Sequence, residues 1–210
     1  MDSTMVDRLV QARDELERFR MTAVSADDLV EVTVGPRGEL VDVALDPRVF
    51  GSEADALART IVLTADEARD LAADPVHDLV RPMLGTHRAH GPVDVVFGPV
   101  LAELDRRAAL PPPLPSLDGR PSVDPPDLAA LRASLLALRD LMADAEQSAE
   151  SPDGLVVATV GGRGELTDLK LDERALRRSD TRWLSESVVA TARAATETLF
   201  AGLRREFERT

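Results

Sequence analysis

The chain carries one 26-residue passage twice. SADDLVEVTVGPRGELVDVALDPRVF begins at Ser25 and SPDGLVVATVGGRGELTDLKLDERAL begins at Ser151. The two align without a gap and about 15 of 26 positions are identical. A repeat of this length means a repeated supersecondary unit, so the fold is two copies of one small element.

Each passage reads as a β-hairpin. Val30, Val32 and Val34 alternate with Leu29, Glu31 and Thr33, and Val41, Val43 and Leu45 alternate with Leu40, Asp42 and Ala44. That period of two marks half-buried strands. The turns are Gly35-Pro36-Arg37-Gly38 and Gly161-Gly162-Arg163-Gly164. Glycine there permits the positive φ values of a short hairpin loop. A phosphate-cradling role does not suit these glycines, because no Lys-Ser/Thr follows and the loop leads into a strand. Arg20 to Val24 is a candidate third strand, with Ser148 to Ser151 as its weaker counterpart.

Helices flank each hairpin. Met5, Leu9, Leu16 and Phe19 precede the first at helical spacing; Leu128, Leu131, Leu135, Leu138 and Met142 precede the second. Asp46-Pro47 reads as a helix cap followed by proline at the first helical position. A helix is expected from about Asp55 to Ala73, with Leu57, Ile61, Ala65 and Ala68 on one face. Its second copy carries one inserted residue and has Leu184, Val188, Val189, Ala192, Ala195 and Leu199. Each unit is therefore α-β-β-(β)-α, and the fold class is α+β.

The expected boundaries are 1–73 for the first unit, 74–126 for a middle segment and 127–210 for the second unit. Within the middle segment, Pro75–Leu84 and Gly91–Ala109 read as short helices. Pro111-Pro112-Pro113-Leu114-Pro115 through Pro125-Pro126 reads as a semi-rigid linker. A single unit buries only a modest core, so the leading helices and hairpins of the two units are expected to pair as an intramolecular pseudo-twofold dimer, which can self-associate further.

Composition narrows the function. No cysteine is present, which removes disulfides, thiolate zinc sites and cysteine nucleophiles. No apolar run approaches a membrane span, and the amino terminus does not read as a signal peptide, so no membrane role and a cytoplasmic location are expected. The net charge is −13, which opposes global attraction to nucleic acid. The charge is uneven: residues 1–73 carry roughly −8, residues 74–126 roughly −2 and residues 127–210 roughly −3.

Asp42, Asp46, Asp168 and Asp172 recur in both copies. Carboxylate pairs can serve acid–base chemistry or a metal, but here no nucleophile or histidine accompanies them. Asp46 and Asp172 read as helix caps, and Asp42 and Asp168 as residues of the polar strand face. His87-x-x-His90 lacks an acidic or thiolate partner and reads as a solvated loop. Ser25 and Ser151 precede acids and read as turn formers. No catalytic residues, metal ligands or cofactor are assigned. Arg37 and Arg163 sit on the two hairpin tips, Arg177, Arg178 and Arg182 lie before the last helix, and Arg204, Arg205 and Arg209 lie at its end. They read either as phosphate contacts or as a solvated face, with the terminal cluster complementing the helix dipole.

The pattern resembles the YbaB/EbfC family. The resemblance rests on Leu29-Val30, Thr33-Val34, Gly35, Gly38, Leu40, Asp42 and Leu45-Asp46-Pro47, and on Gly154-Leu155-Val156, Thr159-Val160, Gly161, Gly164, Leu166, Asp168 and Leu171-Asp172. Asp28 stands where that family usually has glycine, and Glu173 where it has proline. One lysine among many arginines, with abundant alanine, fits a tandem member of actinobacterial type. The resemblance implies a non-enzymatic, nucleoid-associated protein that binds DNA with little sequence specificity, through Arg37, Arg163, Arg177, Arg178 and Arg182. The alternative is a protein-interaction or scaffold module, for example one accessory to a specialised secretion system, without DNA.

Overall fold

The computed structural model describes residues 11, 14–84, 104–105 and 128–207. Met5, Leu9, His87, His90, Arg209, the proline-rich linker and most of the expected helix Gly91–Ala109 lie outside the described residues.

In the first unit, helical residues 14–18 lead into β1 (Met21–Val24), β2 (Val30–Val34) and β3 (Leu40–Leu45). A 3-10 turn (Pro47–Gly51) and helix α1 (Ala54–Leu84) follow. The second unit repeats this order as α2 (Leu128–Ala143), β4 (Glu146–Glu150), β5 (Val156–Gly161), β6 (Leu166–Leu171), a short α3 (Glu173–Arg177) and α4 (Thr181–Phe207). Both candidate third strands form. The result is two three-stranded antiparallel meanders, ordered β1-β2-β3 and β4-β5-β6.

Val30, Val32 and Val34 are buried as their alternation requires. The return strand departs from strict alternation. Thr33 pairs with Asp42 but Val34 pairs with Leu40, so Val41 is an extra residue opposite a register shift. Such a bulge turns the strand locally. Leu40 and Val43 are therefore buried while Val41 is only half-buried, where strict alternation would bury Val41. The second hairpin has the same shift between Thr159 and Val160, and Leu166 and Leu169 are buried.

Helix α1 also differs from expectation. It continues through Pro75 to Leu84, so Pro75–Leu84 is not a separate helix. Proline removes one backbone hydrogen bond. The apolar stripe Leu57, Ile61, Ala65, Ala68 and Ala72 extends to buried Val76, and burial of that next turn offsets the loss.

The long helices tie the units together. Helix α1 covers β1 and β2 of its own sheet and β6 of the other. Helix α4 covers β4 and β5 of its own sheet and β3 of the first. One cluster of buried side chains consequently contains Val43 and Ile61 of the first unit with Leu169, Leu184 and Val188 of the second. The hairpins meet at a single antiparallel bridge, Glu39 to Glu165, which marks the pseudo-twofold axis. The pseudo-dimer is thus joined by its trailing helices and hairpin tips. Of the leading helix, Leu16, with Phe19 just after it, packs against the shared core.

Two outcomes follow. A protease site placed between Leu110 and Pro126 should leave the cut halves co-eluting on a sizing column; separate, stable halves would contradict the shared core. The second concerns Gly162, where a Cβ would overlap the Met142 carbonyl oxygen at the end of α2. Gly162→Ala should cost roughly 1–3 kcal/mol or undock α2. Hydrogen exchange of residues 128–143 should then rise ahead of exchange in β5 and β6.

Candidate nucleic-acid interface

The turns that position the arginines are built from local polar contacts. Ser25 and Ser151 are buried, and each hydroxyl accepts from the backbone N–H of Val30 or Val156 at 3.0 Å. Each also donates to the next carboxylate, Asp27 at 2.6 Å and Asp153 at 2.8 Å. Those hydroxyl bonds, before any other cause, hold both carboxyls below their ordinary pKa. Asp46 and Asp172 accept from the N–H of Arg48 and Arg174, each at 2.8 Å, and so cap the 3-10 turn and α3. The Arg174 side chain also donates to Asp172, at 2.9 and 3.0 Å. Chiefly through that guanidinium, the Asp172 carboxyl is lowered to about 2. Asp42 and Asp168 lie exposed on the outer strand face, as expected.

Arg37 and Arg163 stand beside the pseudo-axis, because the tips they occupy adjoin the Glu39–Glu165 bridge. The Arg37 guanidinium lies 5.2 Å from the Phe200 ring centre on the other unit's α4 and 3.7 Å from Glu39. Arg163 is exposed and makes no ion pair among the described residues. Gly38 and Gly164 close these tips at φ +83 and +87. That left-handed conformation favours glycine.

Arg177, Arg178 and Arg182 gather where α3 meets α4. Arg177 is 3.7 Å from Glu173, and Arg182 is 2.8 Å from Glu186. Arg178 is 3.4 Å from Asp153 and lies 4.0 Å from the centre of Trp183, the chain's one tryptophan. The five arginines therefore form two sets. Phe200 is eighteen residues beyond Arg182 on α4, so the sets lie about 27 Å apart at 1.5 Å per residue.

The Arg177 and Arg182 pairs lie on the surface, with Arg182 87% exposed, whereas Glu39 and Asp153 are only 21% and 33% exposed. Water screens exposed pairs of the first kind, so a phosphate oxygen can replace the carboxylate at little cost. The outer sheet face offers no such site. It presents Glu31, Asp42, Glu146, Glu150 and Asp168 against the cation Lys170, with Thr22 bonded to Thr33 and Ser148 to Thr159 at 2.8 Å. That face repels phosphate.

Sequence reasoning missed Arg193, which is exposed on α4 and makes no ion pair among the described residues. With Arg182 it lines a groove of about 460 Å³ between β3 and α4. The groove joins the two units, so no local pattern announces it.

Two stretches of the chain, residues 3–87 and 127–209, match the sequence model described as the YbaB/EbfC DNA-binding family. The chain belongs to that family. Among its relatives is a nucleoid-associated protein of Saccharopolyspora erythraea, 38% identical over 65 residues, or 31% of this chain and 56% of that protein. One from Streptomyces griseus is 39% identical over 67 residues, 32% of this chain and 59% of that protein. One from Brucella ovis is 33% identical over 73 residues, 35% of this chain and 68% of that protein. The chain thus spans under two thirds of the length of the first two. A solved structure of an uncharacterized protein, HP0035 from Helicobacter pylori, aligns at 20% identity and a TM-score of 0.33, covering 40% of this chain and 99% of that one. No described helix is long and apolar enough to cross a membrane.

The Asp172 cap gives a pH prediction. Its carboxyl titrates near 2 in the folded chain, below the ordinary value of 3.8. The folded state therefore favours the ionised form, and that contribution is fully present above about pH 4 and is lost as pH falls towards 2. Asp172→Ala should lower the urea midpoint at pH 7, and the gap from wild type should shrink between about pH 4 and 2. A gap that is constant across that window would contradict the assignment.

Proposed function

We propose that this YbaB/EbfC family member is a nucleoid-associated protein that binds DNA with little sequence specificity, through phosphate contacts made mainly by its second unit. The observation that carries this reading is the set of exposed arginines at the α3–α4 junction: Arg177 and Arg182, each paired with one surface carboxylate, and Arg178, which pairs with Asp153 and also lies over Trp183. Arg37 and Arg163, about 27 Å away, would reach phosphates of the same duplex roughly eight base pairs further on. The second unit leads because its net charge is roughly −3 against −8 for residues 1–73.

Low specificity follows from what the surface offers. Aromatic residues make up 3% of the chain, and Trp183 is already covered by Arg178, so base stacking has little to work with. The arginines lie in short turns and at a helix start, where they contact phosphate rather than base edges in a groove. The duplex must also approach from the side away from the acidic sheet face.

With three or four phosphates neutralised, the log–log salt slope should be near −3, and affinity should fall in the micromolar range. Fluorescence anisotropy with several unrelated duplexes at ~50 mM salt checks this. Replacing Arg177, Arg178 and Arg182 together by Ala should weaken binding equally on every duplex and flatten the slope. Absence of binding by the unaltered protein at that salt would overturn the reading.

A further inference from the structure

Helices α1 and α4 are equivalent, and offset by 127 residues: Leu57 corresponds to Leu184, Ile61 to Val188 and Ala65 to Ala192, all buried. On their outward faces the same correspondence reverses charge. Asp55 matches Arg182, Arg59 matches Glu186 and Asp66 matches Arg193, while one turn further on Asp70 matches Glu197 and keeps its sign. It also reverses size, since Leu63 matches Ala190. Leu63 is 68% exposed, with no apolar cover. Ala190, Arg182, Glu186 and Arg193 all line the groove between β3 and α4, together with Val43, Leu45 and Val189. The knob of one unit and the groove of the other thus sit at matching positions with opposite charges.

We infer that the outward face of α1 in one copy of this chain docks into the β3–α4 groove of a second copy. Leu63 enters the apolar floor over Ala190 and Val189. With the two helices parallel, Asp55 meets Arg182, Arg59 meets Glu186 with Asp42 of the strand wall beside it, and Asp66 meets Arg193. Asp55, Arg59 and Arg193 make no ion pair among the described residues, so these three charges gain partners. Asp66 exchanges Arg69, now 3.0 Å away, for Arg193. The occupant is a second copy, because a single chain cannot bring its own α1 face to its own groove while both helices stay in the shared core. The contact joins different surfaces on the two partners, so it is heterologous and propagates head to tail. It does not rest on the DNA reading, although it engages Arg182, so docking and phosphate contact would compete for that side chain.

Sedimentation velocity of the full chain without DNA tests the inference. At ~50 mM salt the unaltered protein should grow from its 22.7 kDa monomer as concentration rises, and ~500 mM salt should reverse this. Asp66→Arg, Arg193→Asp and Leu63→Ser should each weaken association by roughly tenfold or more. A mixture of the Asp66→Arg and Arg193→Asp chains offers the original pair at one joint and the charge-swapped pair at the next, so it should associate beyond a dimer although neither chain does so alone. The chain carrying both changes should recover association, which separates a lost contact from a misfolded variant. Unaltered protein that stays monomeric at ~50 mM salt, single variants that associate like wild type, or a double variant that does not recover would each overturn it.

Discussion

The structure depends on each long helix crossing to the other unit's inner strand. A three-stranded meander with one helix leaves its innermost strand half covered. Val43 on β3 and Leu169 on β6 are nevertheless nearly water-free, because α4 and α1 respectively lie over them. Burying an aliphatic side chain of this size stabilises by about 1.5–3 kcal/mol, and the crossing secures several such residues at once. It also fixes the hairpin tips at the centre of the molecule, with Arg37 against the far unit's Phe200. The tips are consequently parts of an interface as well as surface turns.

Joining the two copies in one polypeptide has a second consequence. A symmetric homodimer must carry the same charges on both arms, whereas a tandem chain can let them diverge. Here α1 presents Asp55, Asp66 and Asp70 where α4 presents Arg182, Arg193 and Glu197. Two of the three positions change sign. That divergence concentrates the cationic surface in the second unit despite a net charge of −13. Surface charges of this kind act through local potential and are damped by salt, so the proposed DNA contact and the proposed self-docking should both weaken as salt rises.

What could be read from the sequence was what local chemistry determines. The hairpins, their glycine turns, the Asp46 and Asp172 caps and the Ser25 and Ser151 turns depend on residues within a few positions of one another. The bulge was not legible, because Leu40 and Val41 are both apolar and only the pairing partner decides which faces inward. The passage of α1 through Pro75 was hidden by the usual rule for proline, which Val76 overrides by burial. The crossing of the helices left no periodic trace: a stripe of Leu57, Ile61 and Ala65 reports that something covers it, not which sheet. For the arginines, the hairpin-tip pair and the run before the last helix were both legible, but not that the two tips meet across the units, and their carboxylate partners depend on the fold as much as on neighbours.

The claim beneath all of this is that the two units share one core and therefore unfold together. Differential scanning calorimetry of the intact chain tests it most directly. A single transition whose calorimetric and van't Hoff enthalpies agree is the predicted result. Two resolved transitions, or a calorimetric enthalpy near twice the van't Hoff value, would mean that each unit holds its own core, and would contradict the account.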